Sequence, residues 1–404
     1  MPDPWKFVHH FKAGVYSWRS SAKVISRIKA AVAEIRKVAK TDPVRAADGA
    51  VKFIERIVPA IEQVDSSSGA LGSAVYDAIE AMADVVARAP LDVPARTRLL
   101  ERLMEAFMQD GFGYLDSLGE RWGTLCATPE VASYWADELI GTFRHVKSMR
   151  ARGGLDLYRG STPCLSALLA AGRLDETIEL GSSDPRPHWS EAQFAARALE
   201  RQGRFEEAIA LAEACSRFGG MSIGTAEYCE GLLIRMGRHD EAFSRYALLA
   251  HRRTTYLATF RSIRERYPGI DEAELLEILV ERTPGEEGKW FAAARSAGLR
   301  DAALALCAVH PVDPKTLIRA AKADSAQYPV FAMHCAVASL EWIHRGYGYE
   351  IEPSDVAGAF EVAVALGAST GRLADVRRRV ELLTTGEGYN AGLLRRLSAQ
   401  VAWE

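Results

Sequence analysis

One short phrase recurs through the middle of this 404-residue chain and constrains its fold more than any other feature. The phrase begins with Gly-Arg and places an acidic pair three and four residues after the glycine. Full copies begin at Gly172, Gly203 and Gly237, and weaker copies begin at Gly269 and Gly298. Spacings of 31, 34, 32 and 29 residues between successive glycines are typical of helical-hairpin repeats.

The phrase has a physical interpretation as a helix–turn–helix junction. Glycine ends the first helix in the left-handed region without steric cost, and the acidic pair faces the positive end of the second helix. A small residue five positions on, such as Ala208 or Ala242, lets two helices cross closely. The pattern resembles the tetratricopeptide repeat most clearly over 189–250, although the tryptophan and proline positions of that consensus are mostly unfilled. The alternative is chance similarity between helical hairpins in an alanine-rich chain.

The flanking segments also show helical periodicity, without the two-residue alternation of a sheet. Predicted helices outside the repeats span 21–39, 47–64, 71–89, 95–109, 314–323, 328–344, 353–367, 371–384 and 390–402. We therefore predict an all-α fold, an α-solenoid of stacked helical hairpins that is tetratricopeptide-like in the middle. The expected divisions are an N-terminal helical domain over 1–155, repeats over 156–312 and further hairpins over 313–404.

Several strings resemble proteins without an assigned activity. The stretch 48–122, through its strings at 63–69 and 110–114, looks like a bacterial domain family of unknown function. The later part resembles a group of uncharacterised bacterial proteins through the strings at 254–260, 283–291 and 346–350. It is similar also to the helical region that follows the zinc module in SWIM-type zinc-finger proteins. That module needs Cys-x-Cys and Cys-x-His, and this chain has neither.

Composition and motifs argue against most catalytic chemistry. The six cysteines include no Cys-x-x-Cys pair, and the nine histidines include no His-Glu-x-x-His motif, so we expect no metal and no cofactor. The sequence from Gly285 to Lys289 is too short for a phosphate loop and lacks its hydroxyl residue. The cysteines at 215, 229, 307 and 335 are expected to pack as small hydrophobes. We predict a protein without catalytic residues, and the alternative is an enzyme with a site at the seam near 150–165.

The first 40 residues carry nine bases and two acids, whereas the whole chain has a net charge of −3. A basic amphipathic helix here is predicted either to be a solvated face or to contact nucleic acid, an anionic surface or acidic repeats of the same chain. The candidate anion or nucleic-acid contacts are Lys23, Arg27, Lys29, Arg36, Lys37 and Lys40. Nearby aromatic residues would either stack on bases or pack under the first hairpin: Trp5, Phe7, Phe11, Tyr16 and Trp18.

Two polar–aromatic clusters are candidate partner-binding residues. One combines Arg252 and Arg253 with Tyr256, and the other places Tyr347 and Tyr349 in a glycine-punctuated loop. The competing interpretations are a helix C-terminal dipole contact for the arginines and a turn anchored on the core for the tyrosines.

These patterns favour a non-catalytic, cytoplasmic scaffold that binds a protein or peptide partner on the concave face of the array. No apolar run reaches the roughly 18 residues that a membrane span requires, and no secretory signal is recognisable at the N-terminus. The second hypothesis is a nucleic-acid-associated protein that uses the basic N-terminal helix. The third is the enzyme with a site at the seam.

Overall fold

A computed structural model describes residues 5–154, 157–184, 187–215, 220–385 and 389–403. Over these ranges the chain forms α-helices and short 3-10 helices and contains no β-strand. The prediction of an all-α, solenoid-like fold is therefore confirmed. None of the described helices combines the length and the apolar composition needed to cross a membrane.

The contacts divide the chain into two compact units, Met1–Leu232 and Leu233–Glu404. The boundary falls inside one helix, Ile223–Arg235. The three-part division predicted from the sequence stays a prediction, and its first boundary, between 155 and 156, lies outside the described residues.

The first unit is built from helices that pack against their neighbours in sequence. Its α-helices are α1 (Ser21–Ala39), α2 (Pro43–Ile61), α3 (Ala70–Arg88), α4 (Val93–Gln109), α5 (Asp116–Glu120), α6 (Trp122–Cys126), α7 (Pro129–Ala151), α8 (Ser161–Ala170), α9 (Leu174–Ser182), α10 (Trp189–Arg201), α11 (Phe205–Ala214) and the greater part of α12 (Ile223–Arg235). Helices α1, α2 and α3 contact one another, and contacts then run in order from α7 to α11. Most of these helices have one apolar stripe, and each stripe is buried against a helix that is close in the sequence.

The N-terminal aromatic residues belong to the core of this unit. Trp5, Phe7, Phe11 and Tyr16 are each no more than 3% exposed. The rings of Phe7 and Phe11 meet Phe53 of α2 edge-on, with centroids 5.9 and 5.2 Å apart. Packing under the first hairpin, and not base stacking, is therefore the role of these four side chains. Trp18 differs from them because 64% of its surface is exposed.

The second unit continues the same sequential packing. Its remaining α-helices are α13 (His239–Ala250), α14 (Tyr256–Arg266), α15 (Glu272–Glu281), α16 (Phe291–Ser296), α17 (Arg300–Val309), α18 (Pro314–Asp324), α19 (Pro329–His344), α20 (Pro353–Ser369), α21 (Leu373–Thr384) and α22 (Tyr389–Ser398). From α13 to α22, each helix contacts the next helix, the next but one, or both. The best-buried helix is α19, which is mostly apolar on all sides and contacts α17, α18, α20 and α21.

The recurring glycine phrase forms the same backbone turn at four of its copies, in which the glycine has a left-handed conformation. Gly172, Gly203, Gly237 and Gly298 have φ between 76° and 78°. At the second copy, the amide of Gly203 donates to the carbonyl of Glu200, and the next amide donates to Leu199, both at 2.9 Å. This pair of bonds is the Schellman motif, which satisfies carbonyls left over at a helix end. The residue five positions after each of these glycines is fully buried.

Sequence reasoning missed the function of the arginine in the phrase. In each full copy the arginine precedes the second helix and pairs with the glutamate three residues on. The guanidinium Nε lies 2.6, 2.8 and 2.7 Å from the carboxylate in Arg173–Glu176, Arg204–Glu207 and Arg238–Glu241. Solvent screens such exposed pairs strongly, so they support the turn without determining it.

Replacing the turn glycine tests this interpretation. We expect Gly237→Ala to lower the free energy of unfolding by about 1–2 kcal/mol, because φ is +77° and alanine is strained there. The matched control is Gly269→Ala in the same unit, where φ is not left-handed and a Cβ meets nothing within 4 Å. Urea denaturation followed by circular dichroism measures both. Equal losses in the two variants would contradict the assigned turn.

Candidate functional site

The second unit contains a cavity of about 600 Å³, a size typical of ligand sites. Its walls come from α13, the loop after it, the start of α14, and the segment between α15 and α16. We call it the arginine pocket. Its lining residues are Ser244, Arg245, Leu248, Leu249, Arg252, Arg253, Tyr256, Thr259, Arg282, Thr283, Glu286 and Trp290. Three of the residues predicted to bind a partner, Arg252, Arg253 and Tyr256, therefore lie together.

Two threonines fix the loop that carries the arginines. Thr255 caps α14, since its hydroxyl accepts a hydrogen bond from the Ala258 amide at 3.1 Å. The buried hydroxyl of Thr259 accepts from the Arg253 amide at 2.9 Å. The loop backbone is thus held by hydrogen bonds, whereas the Arg252 and Arg253 side chains are exposed to solvent.

The opposite wall is formed around a buried tryptophan. The Trp290 ring is fully buried, and its indole N–H donates to the Thr283 hydroxyl at 2.7 Å. Tyr256 meets this ring edge-on, with centroids 4.7 Å apart. The two strings that resemble uncharacterised bacterial proteins, 254–260 and 283–291, thus contact each other here.

The acidic residue among the lining residues is already neutralised. The Glu286 carboxylate accepts hydrogen bonds from Lys289, at 2.6 Å, and from the Tyr256 hydroxyl. The bond from Lys289, then the bond from Tyr256 and the charge of Arg252, hold the pKa of Glu286 below its ordinary value. Burial, followed by the bond to Glu286, raises the pKa of Tyr256. At neutral pH this carboxylate is ionised and paired, and the phenol stays protonated.

The four arginines of the pocket are not all engaged in the same way. Arg245 pairs with Glu241 at 2.6 Å. Arg253 and Arg282 donate to backbone carbonyls, at 3.2 and 3.3 Å, and each keeps further N–H donors. For the Arg252 guanidinium we find no hydrogen bond or ion pair among the described residues. The three arginines without a described carboxylate partner, Arg252, Arg253 and Arg282, therefore give the pocket excess positive charge.

The other predicted tyrosines lie elsewhere in the same unit. Tyr347 packs edge-on against Trp342 with centroids 5.1 Å apart, and 46% of its surface is exposed. Tyr349 is 79% exposed. Neither lines the arginine pocket, so the structure places the two predicted clusters apart.

The basic N-terminal helix borders a smaller cavity in the first unit, of about 290 Å³. Arg36 of α1, Lys40 directly after that helix and Arg88 of α3 line it. None of these three has a carboxylate among the described residues within ion-pair distance. Asp84 lies in the same cavity, and its carboxylate bonds to Arg121. Sequence reasoning missed Arg88, because only packing of α1 on α3 brings it near Arg36.

The remaining predicted contacts on this helix differ in their engagement. Lys23, Lys29 and Lys37 are exposed. Arg27 instead donates to the Tyr16 hydroxyl at 3.1 Å, and its guanidinium lies 5.4 Å from that ring. Its side chain therefore has an intramolecular partner that the sequence pattern did not predict.

Charged residues around the predicted seam form a buried network. The Lys147 ammonium lies 2.7 Å from Asp184 and 2.8 Å from Glu191, and Arg150 contacts the same two carboxylates. All four side chains are at most 14% exposed. Two bases and two acids balance one another, and the network links α7 to α10 and to Asp184 in the segment after α9. Part of the seam, 155–156, lies outside the described residues.

The described residues contain no group of three or more His, Cys, Asp or Glu side chains arranged to hold a metal ion. Four buried thiols have raised pKa values. Burial raises the pKa of Cys126 and Cys164 to about 12 and that of Cys307 to about 11, and it also raises the pKa of Cys335. These thiols carry little thiolate at neutral pH and pack as apolar groups.

Comparison with known proteins gives one match. Residues 11–124 match the model of a family described as a family of unknown function (DUF6880). This range lies in the first unit and contains the stretch 48–122 for which the sequence indicated a resemblance. Neither the curated proteins nor the solved structures gave a match. The similarities to tetratricopeptide repeats and to SWIM-type proteins stay predictions.

The buried network makes a stability prediction. We expect Lys147→Met to lower the free energy of unfolding by about 3–5 kcal/mol, because it leaves two buried carboxylates to one arginine. Lys52→Met is the control, since Lys52 lies 3.8 Å from Asp48 in a partly exposed pair. That change should cost less than about 1 kcal/mol in urea denaturation. A small loss for Lys147→Met would show that the network is not structural.

Proposed function

We propose that this chain is a non-catalytic binding protein whose arginine pocket receives an acidic segment of a protein or peptide partner. The observation that carries this proposal is the set of four arginines around one cavity, of which Arg252 has no partner among the described residues. A partner carboxylate or phosphate supplies acceptors for the N–H donors of Arg252, Arg253 and Arg282 that no described carboxylate uses.

The chemistry of the lining also supports recognition over catalysis. Glu286 is engaged by Lys289 and Tyr256, and the lining includes no histidine or cysteine that could act as a base or nucleophile. Arginine stays protonated at all working pH values, so it binds and orients anions but does not transfer protons readily. Aromatic and arginine side chains together are also the residues enriched at the centres of protein interfaces.

Binding of a defined acidic probe tests this function. We expect a fluorescein-labelled octapeptide of glutamate to bind the full chain, as measured by fluorescence anisotropy, and an octapeptide of lysine not to bind. The double variant Arg252→Ala, Arg253→Ala should weaken binding at least tenfold, because each hydrogen bond to a charged group contributes about 1.5–3 kcal/mol. A phosphoserine version of the probe distinguishes carboxylate from phosphate recognition.

The control removes a similar arginine pair from the same unit. Arg377 and Arg378 of α21 are 49% and 76% exposed and lie outside the pocket. Their double alanine variant loses the same charge, so it should bind the probe as the unchanged chain does. Equal weakening by both double variants would mean that net charge, and not the pocket, attracts the probe, and the proposal would then be wrong.

A second candidate function, contact with nucleic acid, is favoured by the first unit. Arg36, Lys40 and Arg88 line one cavity, and none of them has a described carboxylate within ion-pair distance. Lys29 lies on the same face of α1 as Arg36. Exposed, unpaired cations along one helix face are suited to phosphate contacts, which release counterions.

The salt dependence of oligonucleotide binding tests this second function. For a single-stranded 20-mer, we expect the triple variant Lys29→Glu, Arg36→Glu, Lys37→Glu to bind weakly. Its slope of log affinity against log salt concentration should be smaller by about 2, since each phosphate contact contributes about 0.7. The control reverses three exposed arginines of the second unit, Arg261, Arg266 and Arg378. Unaltered binding by the N-terminal variant would exclude this helix as the contact.

A further inference from the structure

A second cavity, of about 470 Å³, shares Tyr256 as a lining residue with the arginine pocket. We call it the apolar groove. It is formed by the start of α14, by α16, and by α18 with the loop before it. The residues that give its apolar character are Leu257, Phe291, Ala292, Pro311, Val312 and Ala320. Three of them, Phe291, Val312 and Ala320, are nearly fully buried and form its floor.

The two cavities differ in how their charges are satisfied. The cations of the apolar groove each have a carboxylate within ion-pair distance: Lys289–Glu286, Arg295–Asp324 and Arg319–Asp313. The Arg295 pair is bidentate, at 2.6 and 3.0 Å. The arginine pocket instead keeps N–H donors on Arg252, Arg253 and Arg282 that no described carboxylate uses. One cavity therefore attracts an anion, and its neighbour offers apolar surface without excess charge.

Tyr256 is the residue that the linings of the two cavities share, and its side chain is held in place. Its ring packs on Trp290, its hydroxyl is bonded to Glu286, and the Lys289 ammonium lies 5.4 Å from its ring. A ligand that passes over this residue can therefore place one group in each cavity. In an extended peptide, neighbouring side chains that point the same way are about 7 Å apart, so two such side chains can reach two adjacent cavities.

We infer that the ligand is a peptide segment in which an acidic side chain is closely followed or preceded by an apolar one. The acidic group enters the arginine pocket, and the apolar group enters the apolar groove. This inference rests on the proposed function, from which the acidic side chain of the ligand follows. The apolar side chain follows from the charge difference between the two cavities.

A set of short peptides tests the inference on the full chain. The probes are fluorescein-labelled heptapeptides of serine and glycine with one central glutamate, in which leucine replaces serine at each position in turn. We expect leucine in at least one position to tighten binding about tenfold, which is the gain that burial of a leucine side chain gives. The ratio of affinities with and without leucine is the measured quantity, because it cancels any general loss of binding.

Two variants locate the leucine contact. Ala292→Trp fills the groove from α16, and Leu257→Glu adds a charge to it from α14. Both should bring the affinity ratio close to one. The matched control is Ala302→Trp on α17, which introduces the same side chain at a half-buried alanine of a separate cavity. That variant should keep the full ratio.

The outcomes separate the two proposals. If leucine gives no gain at any position while binding still depends on glutamate, this inference is overturned and the proposed function survives. A leucine gain that persists in both groove variants also overturns it, because leucine then binds elsewhere. If replacing the central glutamate by glutamine leaves binding unchanged, the proposed function itself fails.

Discussion

The hairpins of this protein depend on glycines that hold φ near +77° where one helix ends and the next begins. Without a Cβ, glycine adopts this conformation at little cost, and the turn satisfies two carbonyls that the helix end leaves unpaired. Gly237 illustrates the consequence, since its turn places α13 and hence the pocket residues Arg245 and Leu248. Displacing one such turn would move a wall of the candidate site.

The candidate site itself arises from a contrast between satisfied and unsatisfied charge. Buried or crowded ions in this chain are mostly paired, as the network of Lys147 with Asp184 and Glu191 shows. Among the described residues, cations without a carboxylate within ion-pair distance line a cavity together around Arg252 in the second unit and around Arg36 in the first. Because several such cations line one cavity at each place, an external anion can contact more than one of them at once.

Much of the helical architecture could be predicted, because the spacing of apolar residues in the sequence follows the helical period. The stretch predicted as 21–39 is the helix Ser21–Ala39, and the later helices agree within a few residues. The weak copy at Gly269 does not form the left-handed turn, while Gly371, which was not recognised, does form it. Gly371 is also followed by an arginine, an apolar residue and, at the fourth position, an acid. A search pattern that required one acid in place of the acidic pair would therefore have identified this turn.

The helices, their buried stripes and the left-handed turns follow from interactions between residues a few positions apart, so they can be predicted from the sequence. The candidate sites depend on how the helices pack. Arg252 and Arg282 are thirty positions apart, and they line one cavity because α14 and α15 pack as they do. Periodicity shows which face of a helix is buried but not which charges the packing brings together. Whether an arginine is paired or available to a ligand therefore cannot be determined until the helices are in place.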